Sequence, residues 1–483
     1  MRTSFRSALL LALVTTPLAA ACGPGGRNND DPCIGEECEG TCSPGETGAC
    51  YSGTEDTLGV GPCHAGERTC GDDGEWGPCV GEQIPTAEQC GNGIDENCTG
   101  QADEDTDLDG DGYSTCDGDC CDSIECSDPE LANPGAFEAD GNFFDDDCDG
   151  MVDELQPACD SGLASSSTSA ADYAKAMDIC QDASGGSWGL VSAEFSLLGN
   201  GSPHGEGHSI RAGYGTNMAP QAGASLALLS TGAAADLDDS SPSFVHPGNG
   251  DALLETGLQA GTSAAFPSDW LAAHAGSLPN APGCPEPLGS EAFNPVMLTL
   301  ELKVPTNARS FAVSTNFLSA EYPEWVCSAF NDFFIVLLDS SYSSNDPANP
   351  ADKNLATYTA PDESQYPVGV NLAYGNTGLF RQCQNGATGC GFNAVPGNQT
   401  TCESTDELAG TGLDGDGSDF CDSGSDVGGG TGWLTTRGNV VPGETITLRF
   451  AIWDTSDELL DSTVVLDNFR WSVDPTEAGT DID

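Results

Sequence analysis

Leu298-Thr299-Leu300-Glu301-Leu302-Lys303-Val304 is the stretch that decides the fold. Apolar residues at every second position put one face of an extended strand into a core and leave the other to water. Ile446-Thr447-Leu448-Arg449-Phe450 repeats the pattern. Apolar runs bounded by turn residues predict strands at Ser225–Leu229, Val296–Val304, Ser310–Phe317, Phe333–Leu338, Thr445–Trp453 and Ser462–Trp471. Long Gly-, Ser- and Pro-rich loops separate them, and the helices that parallel strands need for their crossovers are missing. The expected class is therefore mainly β: a β-sandwich of jelly-roll-like type over residues 185–474, behind a small N-terminal module held by disulfides and metal.

On the N-terminal side, residues 156–184 read as a connector with one short helix over Ala170–Cys180, where Tyr173, Ala174 and Met177 share a face. Ser169 and Asp172 have the spacing of a capping box. On the C-terminal side, residues 475–483 read as an acidic tail. The chain has 23 cysteines; setting Cys22 aside leaves an even number, as in disulfide-bonded secreted chains. A Cys159–Cys180 bridge is expected, which leaves Cys33 to Cys148 and Cys284 to Cys421 to pair within their own sets. From Cys33 to Cys90 aliphatic residues are so few that crosslinks must do much of the ordering, with Trp76 and Val80 as the expected small core.

Thirteen Lys and Arg stand against 77 Asp and Glu, a formal charge of -64. That argues against nucleic acid and anionic membrane surfaces as partners. Residues 1–21 read as a signal peptide, with Arg2 and Arg6 ahead of an apolar run from Ala8 to Leu18. Ala19-Ala20-Ala21-Cys22 then resembles the lipobox of bacterial lipoproteins, which implies lipidation at Cys22 and an outer-membrane or cell-surface location. Ordinary signal cleavage before Cys22 is the alternative. Residues 22–32 form a Gly- and Pro-rich tether. No later run approaches the roughly 20 apolar residues of a spanning helix, so any membrane attachment is through lipid.

Chemistry is most legible between Asp95 and Glu154, which holds twenty-two acids and no Lys or Arg. Its centre, Asp105-Thr-Asp107-Leu-Asp109-Gly110-Asp111-Gly112-Tyr113, fits an Asp-x-Asp-x-Asp-Gly calcium pattern in two registers, with Gly allowing the turn and carboxylates supplying oxygens. The twelfth position of a helix–loop–helix calcium hand would be Cys116 or Gly118 instead of Glu, so that motif is rejected. Asp117, Asp119 and Asp122 are expected to complete the shell. Asp95–Glu104 aligns without gaps on Asp145–Glu154, so a repeated turn flanks the loop and adds Asp145, Asp147, Asp149, Asp153 and Glu154 as candidate ligands. A solvated acidic linker is the bland alternative. Zinc on Cys116, Cys120, Cys121 and Cys126 fits by spacing but not in an oxidising compartment; adjacent Cys120 and Cys121 are expected to bond to different partners.

Asp107–Tyr113, Pro134-Gly-Ala-Phe-Glu138 and Asp147-Cys-Asp-Gly-Met-Val-Asp-Glu154 resemble the MopE-type metal-binding repeat, over about residues 63–155. Cys63–Cys98 resembles the companion segment of the same secreted proteins. That family is named for copper. Oxygen donors favour calcium over copper, and His64 is the sole histidine of the region. Leu228-Leu-Ser-Thr-Gly232, Phe317–Glu324, Phe330–Phe334, Trp453–Asp457, Leu460-Asp461-Ser462 and Asp467-Asn-Phe469 resemble the choice-of-anchor L domain of bacterial surface proteins, over about residues 185–474. This resemblance implies an extracellular β domain and no established reaction.

Within that domain Glu321, Asn331, Asp332, Asp454, Asp457 and Asp461 either converge on a second cation or cap turns. Asp414-Gly-Asp416-Gly-Ser-Asp419 is a calcium turn or a solvated loop. His204-Gly-Glu206-Gly-His208 spaces two histidines as zinc proteases do, but its glycines undermine the helix that motif needs. The expectation is a non-enzymatic surface lipoprotein. Its calcium-stabilised spacer would present the β domain to a glycan, a matrix or another cell. The competing classes are a secreted metal-dependent hydrolase and copper sequestration.

Overall fold

The computed structural model describes residues 33–34, 42–86, 88–103, 107–122, 126, 128–184, 187–248, 262–375, 377–396, 398–418, 420–421 and 426–482. Cys22, Asp105 and Asp419 lie outside them. The chain divides into two compact units, Met1–Thr106 and Asp107–Asp483. The boundary falls inside the acidic stretch.

In the first unit β1 (Thr47–Tyr51) and β2 (Gly66–Thr69) are antiparallel, and Cys33–Ile34 runs parallel to β1. Disulfides Cys42–Cys70, Cys50–Cys79 and Cys63–Cys98 cross it. The small core is Tyr51, Cys63 and Cys98, with Leu58 and Val60 against them. The expected pair does not form it. Val80 is 68% exposed, and Trp76 is half-buried beneath the Arg68 guanidinium, 4.4 Å from the ring centroid. With this few aliphatics, the disulfides and a cation–π contact take the place of packing.

The second unit holds α1 (Ala170–Ala176) and the strands β3 (Gly189–Ser196), β4 (His208–Arg211), β5 (Leu226–Ser230), β6 (Ala292–Lys303), β7 (Ser310–Ser319), β8 (Phe333–Asp339), β9 (Leu434–Asn439), β10 (Thr445–Thr455), β11 (Ser462–Ser472) and β12 (Gly479–Ile482). One sheet has the order β8-β10-β6-β3 and the other β12-β9-β7-β11-β5-β4, antiparallel throughout. From β6 to β11 each successive strand crosses to the opposite sheet, as expected of a jelly-roll-like sandwich.

Side-chain alternation shows why. Leu298, Leu300 and Leu302 of β6 and Ile446, Leu448 and Phe450 of β10 meet Phe311, Val313, Phe317, Val464 and Leu466 of the other sheet in one core. Leu300 stands opposite Leu448. Each such buried side chain contributes about 2 kcal/mol by transfer from water. β8 is apolar on both faces: Phe334 and Val336 enter that core, while Phe333, Ile335 and Leu337 join Trp453 and Trp270 in a second. The helix α2 (Ser268–Ala273), which carries Trp270, contributes to that second cluster.

The strand expectations hold to within a few residues at each end, and β3, β4, β9 and β12 were not expected. Disulfide Cys159–Cys180 forms as expected, and Cys284–Cys327, Cys383–Cys402 and Cys390–Cys421 close the C-terminal set. The capping box does not form. Ser169 makes no side-chain cap; the Asp172 carboxylate accepts from Ser167 Oγ at 2.6 Å instead. Residues 479–482, in the expected acidic tail, are the strand β12.

Candidate metal centre

The loop after Asp107 is wound by its own carboxylates. Asp107 Oδ1 accepts from Gly110 N at 2.5 Å and its Oδ2 from Gly112 N at 3.0 Å. Asp109 accepts from Asp111 N at 3.1 Å, and Asp111 from Tyr113 N at 2.8 Å and Asn133 Nδ2 at 2.7 Å. Gly110 and Gly112 have φ of 87° and 97°, which side chains rarely adopt. Asp122 reaches back to Leu108 N at 2.6 Å. Of these carboxylates Asp109 keeps one buried oxygen, Oδ2, that accepts no hydrogen bond. Asp107, Asp109 and Asp122 form one group, and Asp109, Asp111 and Asp119 another, each with one ligand atom per residue within 4.8 Å of the rest.

The flanking turn forms a second pair of groups, Glu138 with Asp145 and Asp147, and Asp147 with Asp149 and Glu154. Asp109 and Asp147 are each shared by two groups. Buried oxygens of Asp109, Asp119 and Glu154 have no hydrogen-bond partner. The electrostatics follow from this crowding. Burial first, then Asp111, Asp109 and Asp122, push the Asp119 carboxyl up to about 6. Burial likewise raises Asp109, Asp111, Glu138 and Asp147. Such sites take up either protons or a cation.

Eight of the expected ligands that the structure describes in the loop and turn fall in these groups besides Glu154: Asp107, Asp109, Asp111, Asp119, Asp122, Asp145, Asp147 and Asp149. Asp117 and Asp153 do not. Asp117 bonds the Ser114 hydroxyl at 3.2 Å, and Asp153 accepts from Gly141 N at 2.9 Å, so both hold turns. Glu138 was not foreseen as a ligand. The repeat is longer than its cysteine-centred core, and a fixed offset of fifty residues would have found it. Glu88 accepts from Asn97 N and Asp103 N, as Glu138 accepts from Asp147 N and Asp153 N. Asp95 bonds Thr99 N and Gly100 N, as Asp145 bonds Asp149 N and Gly150 N.

The second turn is not a free spacer. Phe137 N donates to Asn307 Oδ1 at 3.0 Å, Asn307 Nδ2 returns a bond to Phe137 O at 2.8 Å, and Trp188 Nε1 donates to Ala136 O at 2.7 Å. The turn is thus fastened to the sandwich. Glycine at 135 allows this close approach, since a Cβ would meet the Tyr113 hydroxyl at 2.5 Å and Thr306 at 2.9 Å.

Thiolate ligation is excluded, as expected of an oxidising compartment. Cys120 pairs with Cys148, Cys121 with Cys126, and Cys116 is also disulfide-bonded. The two neighbours do have different partners. The His204–His208 motif is no helical zinc site either. His208 lies on β4, buried, stacked on Phe195 at 4.1 Å and bonded to Tyr173 Oη at 2.7 Å. Asp414 and Asp416 accept from Gly410 N and Ser418 N and so hold their loop.

Residues 288–470 match the family of the Choice-of-anchor L domain. Residues 85–104 and 127–154 match the family described as "Putative metal-binding motif", of MopE type. The two resemblances read from the sequence are therefore both present, over shorter spans: Leu228–Gly232 and the Asp107–Tyr113 loop lie outside the matched residues. The two matched metal-binding segments contain the two copies of the turn, which lie fifty residues apart. No curated protein and no solved structure matches the chain. The combination fits a cell-surface protein with a metal-binding motif. Among the described residues no helix is long and apolar enough to cross a membrane.

Proposed function

We propose that this protein is a non-enzymatic surface lipoprotein whose acidic module binds calcium and whose sandwich meets a glycan, a matrix or another cell. The observation that carries the calcium reading is the sharing of Asp109 and Asp147 between paired groups of oxygen donors. All-carboxylate sets suit a hard cation of flexible coordination and suit copper poorly. His64, the histidine nearest in sequence, bonds Pro62 O at 2.8 Å and belongs to none of the groups. The non-enzymatic reading rests on the absorption of His208 into the core. The anchoring reading rests on Cys22 after its apolar leader.

Calorimetric titration of the mature chain with calcium chloride and with cupric chloride tests the metal. Saturable calcium heat with weaker copper binding is expected. Heat equal to a buffer blank rejects the module as a cation site, and tighter copper binding supports sequestration instead. Cys22→Ser should release the protein from membranes; unchanged retention rejects the anchor. Glycan-array and matrix-adhesion assays on the calcium-loaded chain test the partner.

A further inference from the structure

Far from the acidic module in sequence, acids gather where strands of both sheets end. Glu321 follows β7, Asp332 precedes β8, Asp454 lies at the bulge of β10, and Asp457 and Asp461 lie on the way into β11. Glu321, Asp332, Asp454 and Asp461 are only 2%, 1%, 1% and 3% exposed. Burying one charge without compensation is costly, and burying several of one sign together is more so.

A polar web surrounds them. Asp332 Oδ2 accepts from Ser462 Oγ at 2.6 Å and its Oδ1 from Thr455 N at 3.2 Å. Asp454 Oδ2 accepts from Asn294 Nδ2 at 3.3 Å. Ser462 N donates to Thr231 Oγ1 at 3.0 Å. Two atoms stand apart: Glu321 Oε2 and Asp454 Oδ1 are buried with no hydrogen-bond partner. The charges that act on Glu321 are Asp332, Asp457, Asp454 and Glu324, and those on Asp454 are Asp332 and Asp461, all negative. The ion pairs of the described residues use Arg211, His246, His274, Lys353 and Arg449, and none reaches Glu321, Asp332 or Asp454.

A proton would make either unpartnered oxygen a donor, and a buried donor needs an acceptor as much as a buried acceptor needs a donor. Neither atom receives a hydrogen bond from a described group. A cation answers both. We propose that the sandwich holds a structural divalent cation of calcium type, taken by Glu321 and Asp454. Among the described residues no three carboxylates at this place come within 4.8 Å of one another, unlike those of the module. Two carboxylates completed by hydroxyl, amide and main-chain oxygens are the donor set this leaves, within the range calcium accepts. Glu321 follows a strand of one sheet and Asp454 ends a strand of the other, so the ion would tie the two sheets together.

The test counts calcium in the mature chain by mass spectrometry after gel filtration, following chelation and reloading with calcium chloride. Asp109→Asn with Asp147→Asn disables the acidic module. That variant should retain one chelatable calcium per chain, and chelator should lower its melting temperature. Adding Glu321→Gln and Asp454→Asn should abolish both the remaining ion and the chelator effect. If the fourfold variant does not fold, the twofold variant still decides: no bound calcium and no chelator effect on melting overturns the proposal. Unchanged calcium in a folded fourfold variant also overturns it. Failure of the module reading shows separately, as equal calcium counts in the wild type and the twofold variant.

Discussion

Asn97 occupies in the first repeat the position that Asp147 occupies in the second, fifty residues on. The backbone around them is the same. Cys98 and Cys148 have φ of 59° and 60°, and Asp103 and Asp153 have 56° and 54°. The scaffold is repeated but the carboxylate is not. Asp147 belongs to two ligand groups, and no group among the described residues includes the first turn. Turn shape and metal affinity are therefore separable here.

Asp147→Asn makes the second turn resemble the first. Calcium affinity at that turn should fall by at least on the order of tenfold, the loss that even an outer partner of a metal ligand causes. Calorimetry reads the affinity. Near-UV circular dichroism should be unchanged, because the Glu138 and Asp153 bonds that shape the turn remain.

The Cys159–Cys180 bridge closes a loop of sequence separation 21 around α1, and Tyr173 of the helix and Met177 just after it are fully buried. Loop-closure entropy predicts that Cys159→Ser with Cys180→Ser costs about 3 kcal/mol. Denaturant unfolding checks this. An unchanged midpoint would mean that the packing of α1 holds the segment without the crosslink.

His208 gives the sandwich an acid-sensitive contact. Burial, with His204 nearby, depresses its imidazole to about 4. The unfolded chain binds a proton near pH 6.5 and the folded chain does not, so stability falls as pH drops from about 6.5 toward 4. The loss should approach about 3 kcal/mol at the lower end. The raised carboxylates have the opposite sign, so the difference between wild type and His208→Gln isolates the histidine. That difference should change by about 3 kcal/mol between pH 6.5 and 4 and level off below pH 4, and a pH-independent difference would contradict the assignment.

Trp453 is fully buried against Trp270 at 5.6 Å and Phe333 at 5.6 Å. Trp453→Ala should destabilise the sandwich by about 3–5 kcal/mol through lost contact and a residual cavity. Thermal melting measures it, and Trp453→Phe should recover much of the loss.

The alternating stretches Leu298–Lys303 of β6 and Thr445–Phe450 of β10 were legible because a polar residue separates each buried one from the next. The edge strand β4 was not: His208 and Arg211 are buried by partners distant in sequence, Tyr173 and Asp239. β9 reads as Leu-Thr-Thr-Arg-Gly-Asn, and its burial comes from the sheet around it more than from its own composition. At the metal centre the alternate aspartates announced their ligands. Glu138 stayed hidden because its other task, bonding the backbone of its own turn, leaves no mark in local spacing. Trp76 and Val80 misled because in a segment this poor in aliphatics an apolar residue need not find a core at all.

Strand β12 closes the outer edge of the larger sheet, with Asp481 opposite Thr435 and the Thr480 hydroxyl 2.8 Å from that of Thr436. Composition alone invites trimming the chain after Asp474. Such a cut would bare the hydrogen-bonding row of β9, a strand whose Thr435 and Thr436 are buried, and an open row of that kind templates pairing with a second copy. Gly479–Ile482 thus acts as a selvedge: the acidic border strand that lets the sheet end without recruiting another.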